Sequence, residues 1–131
     1  MMDYSKICFV IMPFGRKAVG DKQVDFDSIY DHVFEPAIRG VTLPETGNLE
    51  PRRTDKDFFS GDINNEMFRY IEYSRFALAD ITSLNANVFY ELGARHRVRD
   101  SGTAIFRQAN APIPFDIHSI KAFQYEYEPE K

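Results

Sequence analysis

The sequence predicts an α/β domain built on a mainly parallel sheet. Two observations carry this. Short continuous apolar runs stopped by turn residues, such as residues 6–12, read as strands buried on both faces. Between them lie segments with apolar residues at helical spacing, and strands that alternate with helices imply right-handed parallel crossovers.

Lys6-Ile-Cys-Phe-Val-Ile-Met12, ended by Pro13 and Gly15, is the first and central strand. After a polar loop, Phe26, Ile29, Val33, Ala37 and Ile38 mark an amphipathic helix with Asp25 as N-cap, and Pro36 is expected to kink it or restart its last turn. Residues 49–54 form a weaker second strand. The next helix opens near Asp62 and carries Ile63, Met67, Tyr70 and Ile71 on one face. Residues 76–81 are a third strand with Asp80 at its C-terminal end, followed by a polar stretch and a helix over about 87–99. Residues 103–107 and 122–127 complete a five-stranded sheet of expected order 2-1-3-4-5, a flavodoxin-like three-layer fold.

A chain of 131 residues fits a single domain, 1–131, and its 44% hydrophobic share with twelve Phe and seven Tyr supplies a core. The net charge of −4 and scattered Lys and Arg give no electrostatic footprint for duplex nucleic acid or an anionic membrane. No apolar stretch approaches a membrane span, and Cys8, the one cysteine, lies in an apolar run and reads as a buried inert thiol. The expected location is cytoplasmic. The chain stops just after its fifth strand with no helix to cover that side of the sheet, so it is expected either to be cut from a longer protein or to complete its surface by self-association.

In open parallel sheets ligands bind outside the carboxyl ends of the strands, so the loops there hold the candidates. After the first strand, Gly15 permits a tight turn, Phe14 can stack on a planar base and Arg16 can pair with a phosphate; the plainer alternative is an ordinary turn. The segment has neither the Gly-x-Gly-x-x-Gly fingerprint nor the Gly-Lys-Ser/Thr phosphate loop. After the second strand, Arg52, Arg53 and Asp55 precede Ser60-Gly61-Asp62, where helix N-terminal amides can receive an anion, or where a solvated loop merely meets a helix cap. Asp80 sits where a receiver domain has its phosphorylated Asp, but the acidic pair and the Lys such domains also need are missing.

The segment Asn85-Ala-Asn87-Val-Phe-Tyr90-Glu91-Leu-Gly93 places a carboxylate in the first turns of a helix, whose N-terminus is expected to hold it ionised, as a nucleophile or cation stabiliser requires. The alternative is a surface Glu91 paired with Arg95 at i,i+4. Against that alternative, Val88, Phe89, Tyr90 and Leu92 surround the acid, and Gly93, which costs a helix about 1 kcal/mol, implies a close approach. His32, His96 and His118 show no metal-ligand spacing, and no Ser/His/Asp or Cys/His set stands out.

Phe9-Val-Ile-Met-Pro-Phe-Gly15, Ala79-Asp80-Ile-Thr82 and Asn85-x-Asn87-Val-Phe-Tyr-Glu91-Leu-Gly93 together resemble the bacterial nucleoside 2-deoxyribosyltransferase-like domains, which are similar in fold to TIR domains. The resemblance spans roughly residues 6–127. It implies that Glu91 attacks or stabilises the sugar anomeric carbon and that Asp80 holds or protonates the substrate. Phe14 and Tyr90 would face the base, Arg16 and Arg53 would take phosphates, and Gly15, Asp55, Gly61 and Asn87 would line the pocket.

The activity this implies is N-glycosidic cleavage of a nucleotide, with NAD as substrate rather than cofactor, no metal, and further copies of the chain as partners. Two other classes stay open: a non-catalytic nucleotide-sensing or self-associating module, and a nucleoside deoxyribosyltransferase. The leaving group separates the substrates. Nicotinamide departs from NAD as a neutral molecule without a proton, whereas a purine or pyrimidine usually needs a general acid.

Overall fold

The computed structural model describes residues 3–53, 63–109 and 122–127. Along the chain, β1 (Ile7–Ile11) leads into a hairpin of β2 (Arg16–Val19) and β3 (Lys22–Asp25), then α1 (Phe26–Ile29), a π-helical turn (Tyr30–Phe34) and α2 (Glu35–Arg39). A second hairpin, β4 (Thr42–Leu43) and β5 (Gly47–Asn48), precedes β6 (Glu50–Arg53). The remainder alternates: α3 (Ile63–Tyr73), β7 (Phe76–Asp80), α4 (Ala86–Val98), β8 (Thr103–Gln108) and β9 (Phe123–Tyr125).

The main sheet has five strands ordered β6-β1-β7-β8-β9, all paired in parallel. Counting only these strands along the chain, the order is 2-1-3-4-5, the flavodoxin-like arrangement. The two small antiparallel hairpins between its first and second strands are additions to the expected plan.

Every residue of β1 is buried, as a central strand with both faces covered requires. Its pleat divides the core. Ile7, Phe9 and Ile11 join Ala77, Ala79 and Ile105 on the face covered by α3 and α4, where Phe9 stacks on Tyr70 with ring centroids 5.5 Å apart. Cys8, Val10, Met12 and Leu78 face the other way, against Phe26, Ile29, Tyr30 and Phe34 of α1 and the π turn. Two-sided placement follows from right-handed crossovers. The step from β1 to β6 runs opposite to the steps from β6 to β7 and from β7 to β8, so its helix lies on the opposite face.

Asp25 caps α1 as expected, accepting hydrogen bonds from Ser28 N at 3.2 Å and Ser28 Oγ at 3.1 Å. The helix then widens. Pro36 lacks an N–H and its ring crowds the carbonyl four residues back, and the chain answers with a π turn in which Glu35 N–H reaches Tyr30 O. The extra residue per turn rotates the buried stripe to Tyr30, Phe34 and Ile38, leaving Val33 half-buried and Ala37, expected in the core, exposed.

On the opposite face a buried guanidinium fastens α4. Arg95 Nη1 donates to Ile71 O at 2.8 Å and Ser74 O at 2.9 Å, and its Nε donates to Thr103 Oγ1 at 3.0 Å. These acceptors are the end of α3 and the start of β8, so one side chain holds three elements in register. Burial moves Arg95 down to about 10. Between α2 and the N-terminal halves of β7 and β8 lies an apolar groove of about 440 Å³, lined by Ile38, Val41, Phe76, Leu78, Ala104 and Phe106. Among the described residues, no helix is long and apolar enough to cross a membrane.

Candidate functional site

The candidates fall into three groups. The first surrounds the turn after β1. Gly15 has φ of 72°, the left-handed conformation that favours glycine, as the expected tight turn requires. Its N–H donates to Asp27 Oδ1 at 3.1 Å, and its carbonyl accepts from Phe26 N at 2.9 Å. Phe14 is 54% exposed, with Lys17 Nζ 5.6 Å from the ring centroid. Arg16 is open to solvent and reaches Asp25 only at 3.9 Å.

Arg53 does not join Arg16 as an open phosphate ligand. It is 1% exposed; its Nη2 donates to Pro13 O at 2.8 Å and lies 3.0 Å from Asp27 Oδ1, while the guanidinium sits 4.8 Å from the Tyr30 ring centroid. A guanidinium without water needs acceptors, and Asp27 and the Pro13 carbonyl supply them. Arg53 therefore anchors the turn that presents Phe14. Asp55 and Gly61 lie outside the described residues.

The second group centres on Asp80, whose carboxyl is fully buried. Its Oδ1 accepts from Thr82 N at 2.9 Å and Thr82 Oγ1 at 2.5 Å, and its Oδ2 accepts from Tyr125 OH at 2.5 Å. Burial raises its affinity for a proton, a tendency opposed by the hydrogen bonds from Thr82 and Tyr125.

Alternation along β7 sets its direction. Ala77 and Ala79 face α3 and α4, so Asp80 projects with Leu78 toward the α1 face, where Tyr125 packs against Phe34.

The third group is α4. Asn85 caps it, accepting from Asn87 N at 2.8 Å and Val88 N at 3.2 Å. Asn87 is exposed, and Tyr90, 63% exposed, meets Phe68 of α3 edge-on at 6.3 Å. Glu91 lies on the stripe of Val88, Leu92 and Arg95 that packs inward, and is 7% exposed. The surrounding apolar residues thus bury it, as the sequence pattern implies.

The alternative, a surface pair with Arg95, is not realised. Arg95, one turn along, points into the carbonyl cluster described above, and among the described residues no ion pair or hydrogen bond to Glu91 is present. Nor does the helix terminus hold it ionised. Glu91 is the sixth residue of α4, beyond the first turn where the dipole acts, and burial pushes its carboxyl from 4.5 up to about 7. Gly93 is exposed, with no atom among the described residues within 4 Å of the position a Cβ would take, so it marks no close approach.

Glu91 and Asp80 are consequently carried on opposite faces of the sheet. Asp27, Thr82 and Tyr125 as hydrogen-bonding partners, and Lys17 beside Phe14, are additions that sequence reasoning missed. Only Thr82 had a signal, its adjacency to Asp80. Among the described residues, no group of three or more His, Cys, Asp or Glu side chains is arranged to hold a metal ion. Compared with family models, curated proteins and solved structures, the chain matches none.

Proposed function

We propose that the protein cleaves the N-glycosidic bond of a nucleotide whose leaving group is cationic, NAD above all, with Glu91 as the carboxylate that meets the developing charge at the anomeric carbon. The observation that carries this is the isolation of Glu91, a buried carboxyl with no cation or donor beside it among the described residues. Such a group is unstable when ionised unless a ligand brings positive charge to it. The nicotinamide ribosyl moiety does so twice, through its pyridinium and through the oxocarbenium-like state that follows.

The chemistry balances without a protein acid. The bond from the anomeric carbon to the pyridinium nitrogen breaks, its electron pair stays on nitrogen, and neutral nicotinamide departs. Glu91 stabilises or traps the ribosyl cation. Water then adds at the anomeric carbon and loses a proton. Asp80, turned to the other face and bound by three donors, is unsuited to protonating a purine or pyrimidine. This supports NAD over free deoxynucleosides. Phe14 would stack on a base, and Arg16 with Lys17 would meet phosphates. The same reading sets the protein in the cytoplasm, where self-association would place several sites together; Cys8, pushed up to about 12 by burial, is an inert thiol there.

The test is nicotinamide release from NAD by concentrated protein, followed by chromatography. Release by wild type that is lost in Glu91→Gln supports the proposal. Bound NAD without release selects a nucleotide-sensing module, and base exchange between deoxynucleosides selects a deoxyribosyltransferase.

A further inference from the structure

Four residues close a hydrogen-bonded set where β7, β8 and β9 end. Asp80 accepts from Thr82 twice and from Tyr125 once, and Thr82 Oγ1 in turn accepts from Gln108 N at 2.9 Å. Backbone bonds from Ile81 N to Phe106 O and from Ala109 N to Tyr125 O, both 3.0 Å, close the same ends. No bond of this set points toward α4.

The chain leaving the set must still reach α4. It passes through Leu84, whose φ of 56° is left-handed, the one such non-glycine among the described residues. A residue with a β-carbon persists there only where its surroundings hold it. Leu84 N bonds Ile81 O at 3.2 Å, and the next residue, Asn85, caps the helix that carries Glu91.

We infer that Asp80 is a positioning residue: with Thr82 and Tyr125 it fixes residues 81–85, which set the start of α4 and so the place of Glu91, and it does not touch the substrate. This rests on Glu91 being the reacting carboxylate, and it departs from the direct substrate contact that the family resemblance implies for Asp80.

The experiment pairs kinetics with amide exchange on the intact protein. Tyr125→Phe and Thr82→Val each remove one donor of the set, Thr82→Ser keeps its hydroxyl, and Tyr127→Phe removes a hydroxyl that bonds His32 instead. Small misplacement of a reacting group lowers turnover steeply, so Tyr125→Phe and Thr82→Val are each expected to lower kcat about tenfold with KM little changed. Thr82→Ser and Tyr127→Phe should match wild type, and the Tyr125→Phe, Thr82→Val double variant should lose little more than the worse single.

Exchange at the Thr82, Gln108 and Val88 amides should quicken in Tyr125→Phe and not in Tyr127→Phe. A raised KM at unchanged kcat, multiplying losses in the double variant, or unchanged exchange at those amides would overturn the assignment. Should wild type release no nicotinamide, the reading of Glu91 falls, and the exchange pattern alone decides whether Asp80 holds the loop.

Discussion

Replacing Glu91 by Gln should stabilise the protein, and by an amount that depends on pH. Burial raises the carboxyl from 4.5 to about 7, so the folded state binds the proton more tightly than the unfolded chain does. The stability tied to that proton is fully present below pH 4.5 and is lost as pH climbs through about 7. With about 1.4 kcal/mol for each unit of pH between the two values, the loss reaches about 3 kcal/mol above neutrality. Gln cannot ionise and escapes it, while keeping the shape of the side chain. Denaturant unfolding of both proteins at several pH values isolates the difference. Near pH 5 the two should agree to within about 1 kcal/mol, the scale of one altered hydrogen bond. By pH 8 the variant should lead by about 2–3 kcal/mol, or roughly 10 °C in Tm. A difference that stays flat with pH, or that favours wild type at pH 8, would mean a cation already stabilises Glu91, and the argument for a cationic ligand would fall.

The same ionisation predicts that kcat/KM for NAD rises with pH through about 7, read from initial rates; a rate independent of pH there would remove Glu91 from the chemistry. Arg95→Met should cost about 3–5 kcal/mol in denaturant unfolding, because the carbonyls of Ile71 and Ser74 lose their buried donor. Two glycines should respond with opposite signs. Gly102, at φ of 82° with Arg75 O 3.0 Å from an added Cβ, should lose about 2 kcal/mol on change to Ala. Gly93, helical and facing open space, should gain about 0.5–1 kcal/mol from the same change, seen as a higher Tm.

The strands over residues 7–11 and 76–80 were legible because each is a short apolar run with a clear stop, the helices because their apolar faces recur, while β6, Glu50-Pro-Arg-Arg53, gave only a weak signal. What escaped was relational. Gly20-Asp21 between Lys17-Ala-Val19 and Lys22-Gln-Val24 is a two-residue hairpin signal, yet its strands are half polar and read as loop. Pro36 was read as an interruption near its own position, but the widening lies in the turn before it and shifts which residues are buried. The burial of Glu91 was legible in its neighbours, whereas its proton affinity was misjudged because desolvation acts along the whole helix and the dipole only at its end. Asp80 was assigned to the correct strand end but not to a face, because β7 is apolar at both parities and its sequence does not say which side α4 will cover. Nothing near Arg53 announced Asp27, more than twenty residues earlier, as its partner.

Four side chains among the Asp, Glu, Lys and Arg residues are buried in the described part of the chain: Arg53, Asp80, Glu91 and Arg95. Three of them are met by partners that the fold has brought from distant segments, including a carboxylate for Arg53, a phenol for Asp80 and carbonyls for Arg95. Glu91 alone is left without one among the described residues, although a guanidinium stands one helical turn away and is aimed elsewhere. A neutral side chain of the same shape would remove the instability at that site, whereas Arg95 is held by the carbonyls of Ile71 and Ser74 and by Thr103. A fold that satisfies its other buried charges while leaving this carboxylate open is arranged as a site would be if the missing positive charge comes from outside the chain. That pattern is a stronger argument for a ligand at Glu91 than its burial alone, since burial by itself is compatible with a protonated, inert acid.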